Sequence, residues 1–469
     1  MNTEDSSVSQ PPVLRRWLGD LSLQRVYANL GKLLGGKALA GIISLIYLAM
    51  AARALGPHEF GILTLVHTYT VTVGGIVQMP PWHAVVRFGS LALVQDRRAD
   101  FLNLLRATIG VELIAGGLSV AAAAALSGVI GPNLGWNETA LSFAPVYALA
   151  VLASVRAVPS GVLQLFNRFD LIGVHQAVPM AVRLMGAIPV VLLDLGLQGF
   201  LVAWLVAALA ECVVMWAMGL WELRRRGYLA DLAGRPGEVR TAHPGIWRFV
   251  ITTKLDTTLT DLSTRLTPLA IGWMLGPVGA GLYNVAMRAG VILFQPAQML
   301  GQAAYAELAR MTAGHDMKGV RRVALRAGLV AMAVGLLLLA LCVAWGASIL
   351  DVLGGAEFET AYHVMLLIVL GRILQMPTFP LGAGLVAMGS PGQSFRVNLA
   401  SNLMLFPVLL GLLHLFRLNG AGLHTLLQGG FALVAMTYLF LRQVARNLRA
   451  AKTAAAAGTP APVLGSGVP

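Results

Sequence analysis

Arg183 and Arg372 fall near the middle of long apolar runs, where lipid penalises charge most. Arg156, Arg265, Arg288, Lys37 and Lys254 lie in similar runs. Against these cations stand Glu112, Glu211, Asp256 and Asp261, three fewer in number. A charge at mid-bilayer costs at least about 2.5–3.5 kcal/mol, so each needs a partner or a water-filled cavity. Asp261 and Arg265 are spaced i, i+4 and can pair on one helix face. Any single residue can be explained by an internal salt bridge or by snorkelling. The set is harder to explain that way, because an excess of cations in a cavity is expensive when empty. It points to an anionic ligand, and arginine in preference to lysine suits bidentate contacts to phosphate or carboxylate. Arg183, Arg372, Arg265, Arg156, Arg288 and Lys37 are therefore the candidate substrate-binding residues. Asp261, Asp256, Glu112, Glu211 and His67 are candidates for charge pairing or ion coupling. His67 is either a proton relay or a buried, hydrogen-bonded histidine.

Other motifs do not hold. Gly31-Lys-Leu-Leu-Gly-Gly36-Lys37-Ala38 nearly spells a phosphate-binding loop. Its last position is Ala where magnesium needs Ser or Thr, and it opens an apolar run instead of following a strand. Gly382-Ala-Gly384-Leu-Val-Ala387 mimics a dinucleotide turn but is embedded in an apolar run, where small residues pack helices. Asn137-Glu-Thr139 is a formal glycosylation site, meaningful only in a eukaryotic secretory route. No catalytic triad, metal-ligand pattern or cofactor signature is expected. Cys212 and Cys342 both lie in apolar runs, which argues against a disulfide framework.

The elements that must carry these charges are membrane spans. The chain of 469 residues is 57% hydrophobic and 12% charged, with mean hydropathy +0.74. A soluble domain carries about 25% charged residues, so this chain cannot cover a water-facing surface. Its apolar runs are too long for the alternating strands of an outer-membrane barrel. Segmentation gives twelve spans, near 31–53, 61–81, 104–129, 140–164, 171–193, 198–221, 249–274, 280–305, 326–349, 361–387, 395–416 and 420–444. No cleavable signal peptide is visible in the polar residues 1–12.

The net charge of +13 sorts across the membrane. One set of loops holds Arg87, Arg97, Arg98, Arg106, Arg168, Arg224, Arg225, Arg226, Arg235, Arg240, Arg248, Arg310, Lys318, Arg321, Arg322, Arg326 and Arg396, and both termini are basic. The other set has only Arg53 and Arg417 at its edges, and holds Glu59, Glu138, Asp194, Asp351, Glu357 and Glu359. Basic loops stay cytoplasmic, so both termini are expected inside. The charge is topological and gives no reason to expect nucleic acid as a partner.

"LGPHEFG" at 55–61 recurs as "LGPVGAG" at 275–281. Each copy falls in the short external turn after the first span of a half. Gly161 and Gly382 give a weaker echo. Two such turns imply an internal repeat of six spans in parallel orientation, a transporter pattern with the substrate site between the halves. The expected fold is an all-α integral membrane protein of about 12 transmembrane helices in two pseudo-symmetric six-helix bundles. Residues 1–30 form an N-terminal cytoplasmic and interfacial segment, with an amphipathic helix over 13–30. Residues 31–221 and 249–445 form the two bundles, 222–248 a cytoplasmic linker and 446–469 a disordered tail.

Arg53-Ala-Leu-Gly-Pro-His-Glu-Phe-Gly61 resembles the R-x-L-G-P-x-x-F-G turn of bacterial polysaccharide-export flippases. These are the O-antigen and exopolysaccharide translocases of the multidrug/oligosaccharidyl-lipid/polysaccharide (MOP) superfamily. The resemblance extends to the span pattern, the 6+6 repeat and the central linker. It implies a V-shaped cavity with a cationic lumen in the bacterial inner membrane. It implies alternating access for a polyprenyl-pyrophosphate-linked oligosaccharide, with membrane lipids around the tail and a polysaccharide polymerase complex as a partner. It also implies coupling to a proton or sodium gradient, for which this chain carries no clear motif. Moving an anion outward gains about 2.3 kcal/mol per charge per 100 mV, which suits export of an anionic head group. A drug exporter of the same superfamily remains the alternative, and a non-transporting envelope scaffold is a third. The expected twelve spans argue against the lipid-linked peptidoglycan-precursor flippases, which usually have fourteen.

Overall fold

The computed structural model describes residues 21–234, 245–313 and 316–456; for 21–39, 252–253, 255–264, 289–307 and a few single positions it describes the backbone alone. Among the described residues there are helices and no strands. Ten helical stretches among the described residues are long and apolar enough to cross a membrane. In the first half they are α1 (Leu21–Val77), α3 (Arg98–Asn133), the broken α4/α5 pair (Glu138–Tyr147, Ala157–Leu165), α6 (Phe169–Leu192) and α7 (Gly196–Arg225). The second half holds α8 (Ile246–Ala313), α9 (Met317–Gly354), α10/α11 (Tyr362–Gln375, Thr378–Ala387), α12/α13 (Pro391–Leu399, Phe406–Phe416) and α14 (Leu418–Ala456). A short helix, α2 (Trp82–Val94), lies in what the sequence suggested was a loop. Its apolar face packs Val85 and Ala92 into a cluster with Phe101 and Leu105 of α3 and Val162 of α5.

The longest helices each break once, at the repeated turn. Gly56 (φ 65°) interrupts α1 and Gly276 (φ 72°) interrupts α8. Both need the left-handed backbone that glycine adopts without penalty, and Pro follows each because its fixed φ suits a helix start. The two turns pack on one another. A Cβ at Gly61 would overlap the Pro277 carbonyl, and a Cβ at Gly281 would overlap the Pro57 carbonyl. Asn284 Nδ2 donates to Thr64 Oγ1 at 3.2 Å, across 220 positions of sequence. That separation equals the repeat offset, so equivalent residues meet at a local pseudo-twofold axis. Gly135 (φ 71°) and Gly355 (φ 94°) repeat at the same offset, and Gly135 also backs onto Pro277.

Residues assigned by charge to one face do meet one another. At the end bearing the turns, Arg53 donates to the Val352 and Asp351 carbonyls at 3.0 and 2.9 Å, and Phe60 meets Phe358 edge-on. At the basic end, Arg98 pairs with Asp231 at 2.7 Å and Arg168 bridges Asp170 and Glu222. Hydrogen bonds to Asp170 push the Arg168 guanidinium above the ordinary arginine value. One core cluster runs through both halves, from Tyr47 to Ala421. Large apolar side chains such as Leu192, Val330, Leu337, Trp345 and Val434 face outward, as a lipid-facing belt requires.

Some boundaries shift. Residues 21–30 continue without a break into the first span. The last helix extends to Ala456, so 446–456 is helical where a tail was expected; its Ala, Leu, Arg and Lys are strong helix formers. The linker is shorter, since α7 runs to Arg225 and α8 starts at Ile246. The phosphate-loop mimic is continuous helix.

Candidate functional site

Arg183 sits two-thirds of the way along α6. Pro179, one turn earlier, has no N–H to give the His175 carbonyl. The Arg183 side chain is only 8% exposed. Nη1 donates to the Tyr47 hydroxyl at 3.0 Å, and Nη2 lies 3.3 Å from His67 Nε2. The guanidinium stacks over Trp204 of α7 at 4.4 Å and over Tyr47 at 5.6 Å. Its Nε is buried with no hydrogen-bond partner. His67 is held from its other side by the Tyr147 hydroxyl, 2.9 Å from Nδ1. A neutral His67 can accept from Arg183 at Nε2 only with its proton on Nδ1, which then donates to Tyr147.

Arg183 is thus bound by neutral aromatic and imidazole groups. The second half adds more positive charge at the same place. Arg265 and Arg288, both on α8, bear electrostatically on His67 together with Arg183. Arg183 and Arg288 also bear on Tyr47. Arg265 and Arg288 of the second half therefore lie within electrostatic reach of the aromatic pocket that holds Arg183. Tyr47, Tyr147 and Trp204 were not singled out in the sequence. A phenol or indole inside an apolar run looks like ordinary core, and only the shared contact with Arg183 distinguishes them.

Arg156 has a different environment. It lies where the helix breaks between a 3₁₀ segment (Ala148–Ser154) and α5, with φ −150°. Its Nη1 makes an ion pair with Glu211 of α7. Glu112, fully buried on α3, accepts from the backbone N–H groups of Ala157 and Val158 at the start of α5, where the helix dipole favours a carboxylate. His175 Nε2 is 2.9 Å from the Glu211 carbonyl oxygen. Two carboxylates expected to offset membrane charge are therefore used within the first half, one on an arginine and one on a helix end.

Arg372 lies in the last turn of α10, in the second half of the chain. It donates to Gln375 at 3.0 Å and bears on Tyr283. Lys254 donates to the Gly75 carbonyl, tying α8 to the last turn of α1. The side chains of Lys37, Asp256 and Asp261 lie outside the described residues.

Residues 50–363 match the family described as "Polysaccharide biosynthesis protein". The chain belongs to this family. Inner membrane protein YghQ of Escherichia coli (strain K12) is 25% identical over 354 residues, 75% of this chain and 99% of that protein. Among solved structures, an inward-facing multidrug resistance MATE family transporter of the MOP superfamily superposes with TM-score 0.70 at 12% identity, covering 88% of this chain and 98% of that one. Lipid II flippase MurJ in an inward closed conformation gives 0.66 at 10% identity, covering 91% and 92%. At those identities the likeness is one of fold. This family member is a multi-pass inner-membrane protein with the fold of MOP-superfamily transporters.

Proposed function

We propose that the protein flips a polyprenyl-(pyro)phosphate-linked oligosaccharide from the cytoplasmic to the outer leaflet for surface polysaccharide assembly. The observation that carries this is Arg183, buried against Tyr47, His67 and Trp204 of the first half and within electrostatic reach of Arg265 and Arg288 of the second. Arg183 there is buried, has neutral contacts and keeps a spare donor at Nε. A (pyro)phosphate offers acceptor oxygens to the spare Arg183 donor. Counting the segments on either side of Gly56 and Gly276 separately raises ten stretches to twelve passes, six in each half. Both termini are then cytoplasmic and the paired turns close the outer end. In this arrangement the head group enters from the cytoplasm, the polyprenyl tail stays in lipid, and the halves rock about the turns. The protein is a carrier with no catalytic role.

The test is leaflet exchange of a fluorescent polyprenyl-pyrophosphate oligosaccharide in liposomes, with wild type beside Arg183→Ala and Arg288→Ala. Flipping that collapses in both variants, with protein still monodisperse, is the expected result. Efflux of a cationic dye without lipid flipping would refute the proposal and favour the drug-exporter alternative, which the MATE-like fold equally accommodates.

A further inference from the structure

The Arg156–Glu211 pair has unequal partners. The Arg156 side chain is 38% exposed and Glu211 only 15%. Arg156 hangs from a non-helical residue at a helix break, whereas Glu211 projects from the middle of the continuous helix α7. The arginine can therefore swing away while the carboxylate stays.

We infer that Glu211 is an internal stand-in for the substrate's phosphate: it occupies Arg156 while the carrier is empty, yields it to the arriving head group, and then takes up one proton. This rests on the flippase proposal above. Once Arg156 turns to the phosphate, Glu211 is left in a poorly solvated site without its contact partner. A carboxylate stranded in that way is neutralised more cheaply than it is kept charged. The step balances simply. An O–H bond forms on Glu211 with a proton from solvent, Arg156 keeps its charge, and the phosphate replaces the carboxylate as its partner.

The groups around Glu211 are specific. Arg156 comes from the position just before α5. From α6 come His175, bonded to the Glu211 carbonyl, and Arg183, whose charge feels Glu211. From α3 comes Glu112, which with Arg156 and Glu211 bears on Cys212 next along α7. From α1, Tyr47 and His67 press on Trp204, about two turns earlier on α7. Glu112 is already committed to two backbone N–H groups, and His175 to a carbonyl. Glu211 is the carboxylate whose partner is free to leave.

The experiment measures proton uptake when the purified, full-length protein binds a polyprenyl-pyrophosphoryl-N-acetylglucosamine in weakly buffered detergent with a pH indicator. Both phosphates of that diester stay ionised across the working range, so the ligand contributes no proton. Wild type is expected to take up close to one proton per head group bound. Its affinity should weaken by up to about tenfold per pH unit as pH rises. Glu211→Gln should bind with no uptake and a flat pH profile, while His175→Gln should retain the uptake. Binding by wild type without uptake overturns the inference whether or not any variant folds. Uptake unchanged in Glu211→Gln also overturns it. No binding by wild type would sink the flippase proposal itself, and this inference with it.

Discussion

Replacing Gly61 with Ala places one methyl group where the two halves touch most closely. The new Cβ would overlap the Pro277 carbonyl oxygen and sit 3.1 Å from Pro277 Cα. Carbon atoms pack best at about 3.5–4.0 Å, so the turns must separate by roughly an ångström. Both contacting groups are backbone at helix starts, so no side chain can rotate away to absorb the strain. Overpacking of this kind costs about 1–3 kcal/mol. If it acts only on the state with the turns closed, it shifts the balance between states by about 5–150-fold. Spin labels at His58→Cys and Glu359→Cys, on a background lacking Cys212 and Cys342, report the separation of the halves at that end. The expected result is a longer-distance population absent from wild type, with slower lipid flipping. Gly281→Ala should do the same, because its Cβ would overlap the Pro57 carbonyl. The double variant should be less than additive, since one separation relieves both contacts. Gly128→Ala, with nothing within 4 Å, is the control. Unchanged distances in both Gly61→Ala and Gly281→Ala would refute the idea that the repeated turns form a closure.

Arg183→Lys should bind a polyprenyl pyrophosphate at least about tenfold more weakly, because lysine cannot stack on Trp204 while reaching two partners; titration calorimetry checks this. Glu211→Leu or Arg156→Leu alone should lower thermal stability more than the double variant, with a coupling of about 1–2 kcal/mol, below the 3–5 of a fully buried pair because Arg156 is 38% exposed. Scanning unfolding of the four proteins measures it. Arg53→Ala removes the cation from the last carbonyls of α9, and should raise modification of Glu359→Cys by a membrane-impermeant thiol reagent, since the contact is worth about 0.3–1 kcal/mol.

The membrane class, the repeat and the sorting of charge were legible because each is local or periodic. Hydropathy is a sum over neighbours in sequence, and loop charge needs no knowledge of packing. The Gly-Pro turns were legible as a repeat because their conformation demands those residues. Helix α2 was missed because an amphipathic helix of thirteen residues between spans resembles a basic loop. The 3₁₀ segment at Ala148–Ser154 was not legible because hydropathy does not register a change of helix type. Depth in a span pointed to Arg183 and Arg156 equally.

The sequence alone determined that this chain is a duplicated, multi-span membrane protein with more cations than carboxylates in its apolar runs. The tertiary structure decided what those cations meet. Arg156 finds Glu211 across 55 residues, whereas Arg183 finds Tyr47, His67 and Trp204 within electrostatic reach of Arg265 and Arg288. It also decided what the repeated turn does, since Gly61 and Pro277 meet only once the halves have packed. Electrostatic pairing and close approach act through space, and composition or spacing cannot report a contact between distant helices.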